Sequence, residues 1–305
     1  MKTFRGATSI AFLLAGLAGG SGCAAIEQVA QVGTSVAKSQ GVVTESQAKS
    51  ITRSTTAIAK TLEDFTPEQE YYIGRSVGAV IVNRYKPYPN AQANGYLNLL
   101  GQTLAQASDR PETFGGYSFL ILDSDEINAF AAPGGMIFVS RGMLRCCRSE
   151  DAVAAVLAHE IGHIQFRHGI QSIEKSRQTQ ALAILAAEGA KTFGKKELAD
   201  LTRTFEGSIN DITSTMINNG YSRSFEKEAD ASAVRTLSGA GYNPNALVAM
   251  LREMEKQLKP GGLDFAKTHP SPASRIKDIE SLVDHAALTE PPARHERFRR
   301  AMGNI

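Results

Sequence analysis

The feature that most constrains this chain is the segment HEIGH at residues 159–163, which lies in a pattern typical of a buried helix. Apolar residues flank it at helical spacing, so most of this helix is expected to face a core. On a helix, residues i and i+4 lie one turn apart on the same side, and His159 and His163 therefore point at one position. Buried polar groups need partners, and a bound metal ion would satisfy both imidazoles together.

The start of this helix can also be predicted. Ser149 is suited to the N-cap, where its hydroxyl accepts a hydrogen bond from a free backbone N–H. Glu150 and Asp151 follow, and their negative charges favour the positive end of the helix dipole. The apolar positions after them are Val153, Val156, Leu157, Ile161 and Ile164.

The three ionisable side chains of the segment suggest a particular chemistry. In zinc hydrolases two neutral histidines bind Zn²⁺, while a glutamate that is not a ligand accepts a proton from the metal-bound water. Glu160 lies about 100° round the helix from His159, close enough for that role. The alternative is a coincidental match on a buried helix, which chains of this length show roughly one time in a hundred.

A catalytic zinc site usually has three protein ligands, and two segments offer the third. His168 does not have the spacing of the motif HExxHxxGxxH, and its alternative role is a helix-end or second-layer histidine. Glu226 and Asp230 are i and i+4 on a later helix, so Glu226 can bind zinc while Asp230 accepts a hydrogen bond from a ligand histidine. The small Ala229 would let the two helices approach closely. The alternative is an ordinary acidic first turn, and Glu228 is expected to point to solvent.

The order of the motifs resembles a known family. HExxH followed by ExEAD at residues 226–230 is similar to the zinc metallopeptidases that include HtpX, BepA and the CAAX prenyl endopeptidase. Further likeness lies in residues 66–75, 128–142 and 268–275, and the resemblance covers residues 66–285. It implies an α+β, mostly α fold, which is a gluzincin-like metalloprotease domain with a small β-sheet next to the HExxH helix.

The resemblance also implies roles for individual residues. One Zn²⁺ per chain is expected to be bound by His159, His163 and Glu226. Glu160 is the expected general base, and Asp230 is expected to contact a ligand histidine.

The C-terminal motif contributes two further candidates. In periplasmic relatives the histidine of the Thr-His-Pro segment can approach the metal and plug the site, and here that residue is His269. It is expected to plug the site or to contact the transition state; the alternative is a histidine that caps the turn before Pro270. Arg275 of the same motif is a further candidate catalytic residue.

These roles imply a zinc-dependent metalloendopeptidase that hydrolyses peptide bonds of unfolded or misassembled envelope proteins. The alternative is a non-catalytic or latent zinc-bound envelope chaperone or assembly factor. Protein or peptide substrates would add as one more strand along residues 134–139 if that strand has a free edge; the alternative is an ordinary covered strand. A net charge of +2 gives no indication of nucleic-acid binding.

The N-terminal residues have the pattern of an export signal. Residues 1–22 combine Lys2 and Arg5 with a short apolar stretch, and small residues precede Cys23. This pattern predicts a signal peptide and a lipid anchor on Cys23, although Gly20 departs from the usual lipobox. The predicted location is the periplasm, at the outer membrane; the alternative is a secreted soluble protein.

The remaining boundaries follow from composition and motifs. Residues 23–65 are predicted to be a tether and an N-terminal helical segment, residues 66–285 the metallopeptidase domain, and residues 286–305 a flexible tail. Cys146 and Cys147 are adjacent, and a disulfide between neighbours would strain the backbone. Both are therefore predicted to be semi-buried thiols.

Overall fold

The computed structural model describes residues 44, 65–173, 212–258, 268–284 and 289–305. Nearly all of these residues belong to one compact unit, formed by Phe65–Ile173 and Ile209–Ile305. The predicted signal peptide and Cys23 lie outside the described residues. Of the helices that the structure describes, none combines the length and the apolar composition needed to span a bilayer.

The described residues form a mostly helical unit with one small sheet, which confirms the predicted α+β fold. The strands are β1 (Ser118–Leu122), β2 (Ala129–Ala132) and β3 (Met136–Ser140). The α-helices are α1 (Pro67–Arg84), α2 (Ala91–Gln106), α3 (Arg141–Cys146), α4 (Glu150–Gln165), α5 (Arg223–Gly239), α6 (Asn245–Gln257), α7 (Pro272–Ile279) and α8 (Pro292–Met302). A π-helical turn spans Thr215–Asn219, and a 3₁₀ turn spans Glu280–Leu282.

The sheet has the order β1-β3-β2, with β1 parallel and β2 antiparallel to β3. Gly134 and Gly135 form the turn between β2 and β3 at φ values of +79° and +106°, which favour glycine. Because β3 is the central strand and pairs on both sides, it has no free edge, and of the two alternatives for this strand the covered one is correct. Only the outer strands, β1 and β2, have an edge that faces away from the sheet.

The outer edge of β1 is covered by side chains of α2. Asn98 accepts a hydrogen bond from the backbone N–H of Phe119 and donates one to its carbonyl, at 3.0 and 2.6 Å. One turn earlier, Asn94 accepts from the N–H of Ile121 at 2.9 Å. These amides are four residues apart on one side of the helix and replace a neighbouring strand. At the other side of the sheet, no strand of the described residues pairs with the outer edge of β2.

Two apolar cores lie on opposite faces of the sheet. Alternate residues of β3 enter them, with Ile137 and Val139 in the larger core and Phe138 in the smaller. The larger core includes residues of α2, α4 and α6, whereas the smaller includes residues of α1 and the π-helical turn. Helix α4 packs against β2, so the sheet lies beside the helix that carries HEIGH, as predicted.

The described residues 289–305 do not form the flexible tail that was predicted for residues 286–305. Helix α8 packs on the fold, and Ala301 and Met302 at its end are buried in the larger core. The physical reason is a pair of buried carboxylates in the first turn of α4. Arg294 Nη1 lies 3.1 Å from an oxygen of Asp151, and Arg297 donates hydrogen bonds to the carboxylate of Glu150.

Candidate metal centre

Helix α4 carries the HEIGH segment, and its start agrees with the prediction. The hydroxyl of Ser149 accepts a hydrogen bond from the N–H of Ala152 at 3.2 Å, which confirms the N-cap. His159, Glu160 and His163 lie in the last two turns of this helix. All three are buried, with at most 3% of each residue exposed. Such burial requires partners for their polar atoms.

Helix α5 crosses α4 at close range because the contact residues are small. A Cβ added to Gly162 would lie 3.0 Å from the Cα of Ala229, which confirms the predicted close approach. Helix α5 begins after Ser222, whose hydroxyl accepts a hydrogen bond from the N–H of Phe225. This start places Glu226 in the first turn, and its side chain is buried against α4.

Candidate ligand atoms from the two helices converge. The Nε2 atoms of His159 and His163 lie 3.1 Å apart. One carboxylate oxygen of Glu226 lies 3.6 Å from the first Nε2, and the other lies 3.5 Å from the second. With a nitrogen of His269, these atoms all lie within 4.8 Å of one another. The fold thus gathers the three expected ligands, and a third histidine, in one buried place.

The outer nitrogen of His159 meets an anion. Its Nδ1 lies 2.9 Å from Oδ1 of Asp230, and a carboxylate can only accept, so Nδ1 donates. Arg275 donates two hydrogen bonds to the same carboxylate, at 2.9 and 2.6 Å. Arg275 Nη2 also lies 3.1 Å from Nδ1, but two donors form no hydrogen bond, and this contact follows from their shared acceptor. In a neutral imidazole with its proton on Nδ1, the lone pair is on Nε2, the atom that faces His163 and Glu226.

The ion pair also explains the charge of Asp230. Burial alone would raise the pKa of this carboxyl, but the Arg275 guanidinium and His159 hold it well below its usual range. Asp230 is thus an anion that orients His159. The structure brings Arg275, which was a candidate catalytic residue, behind that histidine rather than into the group of ligand atoms.

The outer nitrogen of His163 meets another histidine. Its Nδ1 lies 2.9 Å from Nδ1 of His168, and Nε2 of His168 lies 3.0 Å from Oε2 of Glu228. Glu228 was expected to point to solvent, and about half of its side chain is exposed, yet it contacts this buried ring. His168 is outside the group of convergent atoms and takes the second-layer position that the sequence left open. Burial, followed by His159, lowers the pKa of His163 well below its ordinary value, so this ring is neutral.

The donor set fits a zinc ion. Two imidazole lone pairs and a carboxylate face one another in a buried space, which a cation between them would stabilise. Tetrahedral zinc with Zn–N bonds of about 2.0–2.1 Å separates two nitrogen ligands by about 3.3 Å. The observed separation of 3.1 Å between the Nε2 atoms of His159 and His163 is close to that value. His and carboxylate ligands are also the donor types that catalytic zinc sites use.

His269 lies against the carboxylate ligand candidate. Its Nδ1 is 2.9 Å from both oxygens of Glu226, and its ring centroid is 5.4 Å from that of His159. Burial alone would raise the pKa of Glu226, but the neighbouring His269 and then the other histidines hold it well below its usual range. Glu226 is therefore ionised and available to a cation.

Glu160 lies beside these groups with a different electrostatic character. Burial is the main influence and raises its pKa, while the nearby His159, His269 and Arg275 lower it and Glu226 raises it. The net effect is an increase in the pKa. A carboxylate with a raised pKa holds a proton better than an exposed one does.

Tyr221 is a neighbour of the site that the sequence did not indicate. Its ring stacks on His163 with centroids 4.5 Å apart and an interplanar angle of 24°. Its hydroxyl is buried and has no hydrogen-bond partner among the described residues. It directly precedes the N-cap Ser222, and that adjacency is the signal that could have identified it.

The two adjacent cysteines lie away from the candidate metal ligands, at the end of α3. Cys146 and Cys147 are free and buried, so they are more enclosed than the semi-buried thiols we predicted. Burial raises the pKa of Cys146 to about 11 and raises that of Cys147 further. Both thiols are protonated at neutral pH. A thiol in this state is a poor metal ligand.

Comparison with known proteins decides the family. Residues 91–283 match the model of Peptidase family M48. The chain belongs to peptidase family M48. This confirms the resemblance to the metallopeptidases that include HtpX and BepA, and it agrees with the presence of a buried group of histidine and glutamate side chains.

Similar proteins are a metalloendopeptidase and a protease. The mitochondrial metalloendopeptidase OMA1 of Schizosaccharomyces pombe is 34% identical over 53% of this chain and 45% of its own length. OMA1 of Saccharomyces cerevisiae is 29% identical over 52% of this chain and 44% of its own length. The beta-barrel assembly-enhancing protease of Escherichia coli K12 is 29% identical over 62% of this chain and 38% of its own length. The chain thus spans less than half the length of these M48 relatives.

Proposed function

We propose that this protein is a zinc-dependent metalloendopeptidase that hydrolyses peptide bonds of unfolded or misassembled envelope proteins. The convergence of two imidazole lone pairs and an ionised carboxylate beside Glu160 carries the proposal. Membership of family M48 supports it, as do relatives that are named metalloendopeptidase or protease.

In this proposal His159, His163 and Glu226 hold one zinc ion. The ion would supply an acidified water and polarise the scissile carbonyl group. Glu160 accepts the proton of the attacking water and passes it to the leaving amine. Its raised pKa suits both steps, because the carboxyl group has to hold the proton between them.

A protein substrate would bind along the outer edge of β2. The other edges of the sheet are occupied, since β3 is central and α2 covers β1. Helix α4 packs against β2, so a peptide paired with this strand runs beside the HEIGH helix. Strand addition uses main-chain hydrogen bonds and depends little on side chains. That mode suits unfolded proteins of varied sequence.

The envelope part of the proposal has separate support. The pattern of residues 1–22 and the position of Cys23 favour export and lipidation, with the protein held at the outer membrane on its periplasmic side. One relative is named for its action in beta-barrel assembly. Metabolic labelling with a radioactive fatty acid tests the anchor, because a Cys23→Ser protein should lose the label.

A second candidate is a latent enzyme, and the position of His269 favours it. The ring hydrogen-bonds Glu226 and contributes a nitrogen to the group of candidate ligands. In this state His269 would occupy space that a substrate needs. A His269→Ala protein that cleaves peptides faster than the wild type supports latency. If neither protein cleaves, a zinc-bound chaperone or assembly factor becomes the better description.

The deciding experiment combines metal analysis with a chelator-sensitive assay of casein or peptide cleavage. The purified wild-type protein should contain one zinc ion per chain and lose activity with the chelator. Glu160→Gln should keep the zinc and lose at least 100-fold in cleavage rate, because general bases contribute about 10²–10⁴-fold. The exposed Glu255→Gln on α6 is the matched control. Cleavage by Glu160→Gln at the wild-type rate would overturn the role of Glu160.

A further inference from the structure

His168 lies where a continuous helix would not bring it. Helix α4 ends at Gln165, residues 166 and 167 form a turn, and the chain is helical again from 168 to 173. Arg167 has a φ of +55°, a conformation that is costly for a residue with a side chain. Its guanidinium donates to Glu70 at 3.1 Å and to the carbonyl of Phe65 at 2.6 Å, which stabilises the turn. This break directs His168 back toward His163.

The hydrogen bonds of His168 determine which nitrogen of His163 carries the proton. The Glu228 carboxylate accepts only, so Nε2 of His168 donates to it and Nδ1 of His168 is left as an acceptor. That acceptor lies 2.9 Å from Nδ1 of His163, which must then be protonated. The remaining nitrogen of His163, Nε2, faces Glu226 and His159 with a free lone pair.

Packing holds the ring of His168 in this orientation. It stacks on Phe225 with centroids 4.3 Å apart at an interplanar angle of 6°, and on Phe166 at 5.6 Å and 19°. The side chain of His168 is fully buried, whereas 52% of the Glu228 side chain is exposed. Flat stacking prevents the ring from tilting away from His163. Only the outer member of the chain of hydrogen bonds reaches solvent.

We infer that His168 and Glu228 are positioning residues, which hold His163 in the tautomer whose Nε2 is free to bind the metal. The inference rests on the proposed zinc site. Asp230 orients His159 in the same way but directly, because its carboxylate accepts a hydrogen bond from Nδ1 of that ring. For His163 the carboxylate acts through an intervening imidazole. Both histidines are thereby prepared for the metal before it binds.

The test is the zinc affinity of the full-length protein, measured by competition with a chromophoric chelator after the metal has been removed. His168→Phe keeps a flat ring between Phe225 and Phe166 but has no acceptor for His163. We expect it to bind zinc about 10–100-fold more weakly, the usual effect of losing such a partner. His168→Asn places an amide oxygen near the lost Nδ1 and should recover part of the affinity. The visible spectrum of the cobalt-substituted protein should change in the Phe variant and return toward wild type in the Asn variant.

Two further variants make the result decisive. The matched control is His295→Phe on α8, an exposed histidine that also pairs with a carboxylate, and its zinc affinity should equal that of wild type. If His168→Phe does not fold, Glu228→Ala tests the same chain of bonds from its exposed end, and Glu228→Gln should restore the acceptor. We expect Glu228→Ala to weaken zinc binding severalfold and Glu228→Gln to recover it.

The possible failures can be told apart. If a folded His168→Phe protein binds zinc as tightly as the wild type, the positioning role is overturned and the proposed enzyme is left intact. The same holds for Glu228→Ala when that variant replaces His168→Phe as the test. A wild-type protein that binds no zinc overturns both.

Discussion

Arg297 in the C-terminal helix donates hydrogen bonds to the carboxylate of Glu150, which lies 147 residues earlier in the chain. Glu150 is buried in the first turn of α4 and also accepts hydrogen bonds from the hydroxyls of Tyr96 and Tyr242. The start of α4 is thus fixed by α8. The other end of α4 carries the candidate ligands, so this contact stabilises the frame of the site.

Arg297→Ala should lower the free energy of unfolding by about 1–2 kcal/mol, because a buried carboxylate loses its cation while half of the arginine was already in water. Denaturation in urea measures the change. The matched control is Arg300→Ala, which removes an exposed pair with Glu296 and should cost less than about 0.5 kcal/mol. Equal effects of the two substitutions would contradict a specific role for the Glu150 contact.

Gly74 should not tolerate a side chain. It lies on α1, and an added Cβ would be 1.7 Å from the carbonyl oxygen of Pro133, at the turn between β2 and β3. Gly74→Ala should therefore reduce the free energy of unfolding by about 2–3 kcal/mol through displacement of the turn. The exposed Gly95 of α2 has no atom within 4 Å of its added Cβ, so Gly95→Ala should stabilise the protein by about 0.5–1 kcal/mol. Thermal unfolding of the two variants should move in opposite directions.

The local parts of the site could be predicted because each depends on residues within two helical turns. Ser149 identifies the start of α4, and the spacing of His159 and His163 determines their common direction. Glu226 and Asp230 follow from the same spacing on α5. The spacing does not show that these two side chains lie against α4. That expectation came from the resemblance to a family.

The features that the sequence left open or did not show depend on partners that are distant in sequence. The sequence left open whether β3 has a free edge, because its pairing with β1 is parallel and is not encoded by the turn that joins it to β2. Glu228 is exposed as expected, but its contact with His168 was missed, because the helix pattern contains no trace of that histidine, 60 residues earlier, or of the turn at Arg167 that directs it. The C-terminal helix was predicted to be a tail because the segment holds Pro291, Pro292 and several arginines, and nothing local shows that Arg297 contacts the buried Glu150.

The buried thiol of Cys146 predicts a dependence of stability on alkaline pH. Burial raises its pKa from 9.0 to about 11 in the folded protein. Between these values the unfolded chain loses the proton while the folded protein keeps it, so stability is fully present below pH 9 and is lost as the pH rises through 11. The free energy of unfolding of the wild type should therefore fall relative to that of Cys146→Ala across this range. A constant difference between the two proteins from pH 8 to 11 would show that this thiol is not shielded.

Removal of zinc should destabilise the wild-type protein, because the ion binds the folded state and not the unfolded chain. At a free zinc concentration 100 times the dissociation constant, the expected loss on chelation is about 2.7 kcal/mol.

Asp230→Asn weakens the hydrogen bond that orients His159 and should reduce zinc affinity about 10–100-fold. The zinc-dependent part of its stability should then shrink by about 1.3–2.3 kcal/mol at the same zinc concentration, because the stabilisation by a ligand follows the logarithm of one plus the ratio of its free concentration to its dissociation constant. The exposed Asp125→Asn, which alters a surface pair with Arg145, should retain the full wild-type increment. Calorimetric unfolding with and without chelator measures all three proteins, and a wild-type transition that ignores the chelator would contradict the proposed metal centre.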